Sequence, residues 1–66
     1  MKKYLLVIED KRFASDTENT LFEARLKFKK IGETKYYVWM DEEEKDKMMN
    51  NYDFMAFIKM EEKRVA

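Results

Sequence analysis

The sequence predicts an α+β fold, a small single sheet in β-α-β-(α)-β order packed on one main helix, with a C-terminal segment that is strand or helix. Three observations carry this expectation. Two short apolar runs, Lys3–Ile8 and Lys35–Met40, have strand character. The stretch between them spaces its apolar residues as a helix does. Ten aromatic residues, six methionines, one glycine and no proline mark an ordered chain with a substantial core rather than a linker.

The first strand is expected at about residues 3–9. Tyr4, Leu6 and Ile8 point one way and Leu5 and Val7 the other, and Glu9-Asp10-Lys11-Arg12 ends the run. Apolar residues on both faces suggest a central strand buried on both sides. Phe13 and Ala14 either prolong it or fold back onto the core.

Two helix starts compete downstream, because Ser15 with Glu18 and Thr20 with Glu23 both fit a capping box. The second directly precedes an apolar run, which places the main helix at about residues 20–31. Lys27, Lys29 and Lys30 then load its last turns with positive charge, and Gly32 stops it. At about 100° per residue, Leu21, Ala24, Phe28 and Ile31 form one stripe, and Phe22 and Leu26 form a second roughly 160° away. Such a helix is apolar on two sides.

The second strand, about residues 35–41, places Tyr36, Val38 and Met40 on one face and Tyr37 and Trp39 on the other. Asp41 is expected to cap a short acidic helix through Glu42, Glu43 and Glu44 to about Met49, with a turn at Asn50-Asn51. Residues 52–64 remain open between strand and helix. Phe54, Ala56, Ile58 and Met60 alternate as in a strand, while the same residues have good helix propensity.

The chain is read as one domain over residues 1–66. A domain of this size buries only about 60% of the surface its unfolded chain exposes. With no cysteine, no disulfide or thiolate metal site reinforces it. The apolar run after Met1-Lys2-Lys3 ends after five residues, short of the roughly 7–15 of a signal sequence, and nothing approaches transmembrane length. A cytoplasmic protein without a membrane partner is expected. The 14 basic and 14 acidic residues cancel, which argues against a global field for duplex DNA or anionic membrane. Residues 41–47 hold five acids and two lysines, a local acidic cluster.

Chemistry is expected to be absent. There is no histidine or cysteine, and Ser15, the single serine, suits a cap or turn. The acidic run lacks the ligand spacing of a calcium loop, so neither metal nor cofactor is expected. The leading functional expectation is a small non-enzymatic module that binds another protein or a second copy of itself. A virus- or mobile-element-encoded inhibitor of a larger host protein is one such case. Phe22, Leu26, Tyr37 and Trp39 would anchor the contact, Asp41, Glu42, Glu43 and Glu44 would form its charged rim, and Met48, Met49, Met55 and Met60 add adaptable apolar surface. The alternatives are a single-stranded nucleic-acid-binding protein using Tyr36, Tyr37 and Trp39 with Lys27, Lys29, Lys30 and Lys35, or a purely structural homo-oligomer.

Overall fold

A computed structural model describes residues 1–63, so Arg64 of the ambiguous C-terminal segment lies outside the described residues. The elements run β1 (Lys2–Ile8), α1 (Ala14–Glu23), β2 (Lys27–Gly32), β3 (Lys35–Met40), α2 (Glu42–Asn51) and β4 (Ile58–Lys63). Single 3₁₀ segments, Lys11–Phe13 and Asp53–Phe57, lead into α1 and β4. The four strands form one antiparallel sheet in the order β2-β3-β1-β4. Two β-α-β units thus interlock, each leaving room for a strand of the other, as in the split β-α-β arrangement. The α+β class read from the sequence is the class observed.

Both helices cover one face of the sheet. Tyr4, Leu6 and Ile8 of β1, Tyr36, Val38 and Met40 of β3, and Ile58 of β4 are buried with Leu21, Met48 and Met55 in one core. Burial raises the Tyr4 and Tyr36 phenols above their ordinary pKa. The other face has no layer over it among the described residues. Leu5, Val7, Tyr37 and Trp39 lie there half-buried. This corrects the expectation that the central strands are buried on both sides: two helices make one layer, and that layer covers one face.

The main helix also needs correction. It spans Ala14–Glu23, and most of residues 20–31 lies beyond it, with Lys27–Gly32 forming β2. Its buried stripe is Thr17, Thr20 and Leu21, with Phe13 and Ala14 packed at its start. The threonines belong to the inward face because their hydroxyls bond back within the helix, Thr17 Oγ1 to the Phe13 carbonyl at 2.6 Å and Thr20 Oγ1 to the Asp16 carbonyl at 2.8 Å. Thr20 therefore sits inside the helix and does not cap its start. Asp10 caps the preceding 3₁₀ turn through the Arg12 N–H, at 3.0 Å.

Helix α1 stops without glycine. Arg25 adopts a left-handed backbone at φ 57°, its N–H donates to the Phe22 carbonyl at 3.0 Å, and the Leu26 N–H donates to the Leu21 carbonyl at 3.2 Å. That pair of bonds is a Schellman closure. It turns the chain so that Lys27 and Lys29 alternate with Phe28 along an edge strand. Gly32 ends β2 beside a register shift at Ile31, before the hairpin turn to β3.

The capping expectation for α2 holds. The Glu44 N–H donates to Asp41 Oδ1 and the Asp41 N–H to Glu44 Oε1, each at 3.1 Å. Glu42, Glu43 and Glu44 fill the first turn, where the helix dipole favours carboxylates. The helix continues through Asn51, where a turn was expected. The C-terminal segment divides: Asp53–Phe57 is 3₁₀ and only Ile58–Lys63 is strand. No helix among the described residues is long and apolar enough to cross a membrane.

Candidate nucleic-acid interface

The open face of the sheet is built by strand alternation and register. Side chains opposite one another across a ladder share a face, so the pairings read as rows across the sheet. One row runs Lys27, Trp39, Lys3 and Lys63 from β2 to β4. The next runs Lys29, Tyr37, Leu5 and Glu61. A third holds Lys35, Val7 and Lys59. Two adjacent aromatics and two aliphatics thus form a centre ringed by six lysines and Glu61.

Charge on this face is concentrated. Within these three rows six lysines stand against one carboxylate, a surplus of five positive charges that the rest of the neutral chain cancels. Zero net charge therefore conceals a polar molecule, and the argument against nucleic acid from overall charge does not apply to this face. The acidic residues Asp41, Glu42, Glu43 and Glu44 open α2 and have local work there. Glu42 pairs with Lys2 at 3.6 Å and Glu43 with Lys47 at 3.8 Å, besides the Asp41–Glu44 capping box.

The aromatics are held by cations. The Tyr37 and Trp39 ring centroids lie 6.4 Å apart, inclined at 59°. Lys3 Nζ sits 4.0 Å from the Tyr37 centroid and 5.8 Å from that of Trp39, and Lys27 Nζ lies 5.1 Å from Trp39. These are cation–π distances, which orient the rings on an otherwise uncovered sheet. The platform is flat: no pocket and no metal-binding cluster of side chains is found among the described residues.

The structure separates the residues expected to act together. Tyr37 and Trp39 are neighbours on the open face. Tyr36, expected to join them in stacking, is 1% exposed and faces the core, because adjacent strand residues point to opposite faces. Phe22 is 76% exposed near the end of α1, and Leu26 is half-buried against the core in the turn that follows. These two share no helix and do not join Tyr37 and Trp39 in one anchor surface. Met48 and Met55 are core, with Met49 and Met60 packed against it. Lys30 points toward the core side, opposite Tyr36. Sequence reasoning missed Lys3, Lys59, Lys63 and Glu61. Their period-two spacing from Leu5 and Val7, and along Lys59-Glu61-Lys63, is the signal that could have found them. The chain matches no protein-family model, no curated protein and no solved structure.

Proposed function

We propose that this protein binds single-stranded nucleic acid on the open face of its sheet, as a non-catalytic module working in the cytoplasm. The observation that carries the reading is the juxtaposition of Tyr37 and Trp39 within a ring of six lysines on the uncovered face. Lysines draw the phosphate backbone, and exposed rings stack unpaired bases in a sequence-tolerant way. Sheet-based RNA-binding modules use aromatics on a four-stranded sheet in the same manner, which is an analogy of layout only.

Energetics favour the exchange that binding requires. A base on Tyr37 or Trp39 displaces the ammonium of Lys3 or Lys27, forfeiting a cation–π contact worth about 0.5–1 kcal/mol. Stacking returns about 1–3 kcal/mol per base, and the released ammonium is free to meet a phosphate. A second copy of the chain is a poor cover for this face, because it would oppose a like surplus of positive charge.

Trp39, the single tryptophan, is the natural probe. Titration with short single strands is expected to quench its fluorescence, and affinity should fall as salt rises. If three to five lysines meet phosphates, the logarithmic slope is about −2 to −3.5. Salt-insensitive fluorescence at micromolar protein would remove this reading. A second reading, docking to another protein, rests on the exposure of Phe22. Phe22→Ala should leave oligonucleotide binding unchanged and weaken only such a protein contact.

A further inference from the structure

Glu61 is out of place on a surface built for a polyanion. It is the one carboxylate in the three cross-strand rows of the open face, and it lies in the Tyr37 row, separated from that ring by Leu5 on β1. Its neighbour Lys63 is 3.2 Å away and stands in the Trp39 row. A carboxylate here repels phosphate, so any favourable contact it makes with a nucleic acid is with a different part of the ligand.

We infer that Glu61 reads the edge of a base stacked on Tyr37 and makes the face prefer guanine; the inference rests on the single-strand reading above. Two inter-strand steps separate the Tyr37 and Glu61 positions, about 9.5 Å of sheet. A purine lying over Tyr37, with its Watson–Crick edge turned across Leu5 toward β4, presents that edge to the carboxylate. A carboxylate only accepts hydrogen bonds. Guanine offers two donors side by side on this edge, N1–H and N2–H, and so binds in the bidentate, charge-assisted way. Cytosine offers its N4 amino group alone. Adenine has one amino group beside a ring-nitrogen acceptor, and uracil and thymine flank their single ring N–H with carbonyl oxygens that face the carboxylate unfavourably. The lysines, donors only, give no comparable choice among bases on this edge.

A bland alternative makes Glu61 a counter-charge that tempers repulsion among the lysines through Lys63. The two roles separate by base. The test measures binding of strands of about seven nucleotides, a uridine tract with guanine, adenine, cytosine or uracil at its centre. Matched deoxyribonucleotide strands in a thymidine tract tell DNA from RNA as the source of the base. The guanine strand is expected to bind the wild-type chain at least about fivefold more tightly than the adenine or uracil strand, the lower end for a bidentate base contact. Glu61→Gln should erase most of that preference while binding the other strands equally well or better. Lys63→Met, which removes the ion pair, should weaken all strands alike and keep the preference for guanine. A wild-type chain that binds all strands equally, or a Glu61→Gln change that shifts every strand by one factor, would overturn the inference and leave the single-strand reading standing. Failure of the wild-type chain to bind any strand would overturn that reading itself.

Discussion

Leu5 and Leu6 are the same residue on adjacent positions of one strand, and alanine at each should have very different effects. Leu6 is fully buried between the sheet and the helices, whereas Leu5 lies half-buried on the open face between Tyr37 and Glu61. Removing a buried leucine side chain costs about 2–5 kcal/mol, because the cavity adds to the lost transfer energy. A 66-residue chain has a total stability of about 3–10 kcal/mol. Leu6→Ala therefore removes a large share of it and should lower the urea midpoint steeply. Leu5→Ala exposes no cavity and removes side-chain surface that is already partly wet, so about 1 kcal/mol or less is expected. Urea denaturation followed by circular dichroism, repeated across a range of protein concentrations, measures both. Equal destabilisation by the two variants would refute the one-sided sheet. If stability also rose with protein concentration, the chain would be associating with a second copy.

Other outcomes follow from particular residues. Arg25→Gly should stabilise the chain by about 0.5–1 kcal/mol in the same denaturation assay, since glycine relieves the left-handed backbone at φ 57° at a smaller entropic loss. Asp41→Ala should cost about 1 kcal/mol by breaking the reciprocal cap of α2, with Asp41→Asn recovering part of it. The Arg12 side chain, through its hydrogen bonds to Asp10, holds the Asp10 carboxyl below its ordinary pKa. Its stabilising contribution is thus present above the usual carboxylate pKa, about 3.9, and is lost as pH falls through the lowered value. Thermal melts across that acid range should show a smaller loss for Asp10→Asn than for the wild-type chain, with the difference shrinking at high salt because the pair is exposed.

Much of the fold was legible because strand alternation is a strong signal. Tyr4, Leu6 and Ile8, and Tyr36, Val38 and Met40, separate from their neighbours by simple period two, and both triplets are core. The cap at Asp41 was legible because the Asp41–Glu44 spacing directly precedes a helix-forming run. Helix α1 misled because two of its inward positions are Thr17 and Thr20, which count as polar until their hydroxyls are seen bonding to backbone carbonyls. The apolar residues after Leu21 then drew the helix too far. Arg25 made this worse, since a left-handed stop normally shows itself as glycine.

The candidate site was half legible. Tyr37 and Trp39 were singled out as a pair on one strand face, but their lysine surroundings come from four strands and exist only once the register is known. Lys63 and Lys27 are far apart in sequence and meet in one row. Counting charge along the chain averaged this face with the acidic turn of α2, so the sum was zero where the local field is strong.

A residue-resolved map of amide and side-chain NMR shifts, recorded as a short single strand is added at low salt, shows which surface the strand meets. Lys3, Leu5, Val7, Lys29, Tyr37, Trp39 and Glu61 are expected to shift together and saturably, while Phe22 and the first turn of α2 stay in place. Shifts confined to Phe22 and the helical layer, or no saturable shift on the sheet, would rule out single-strand binding on the open face.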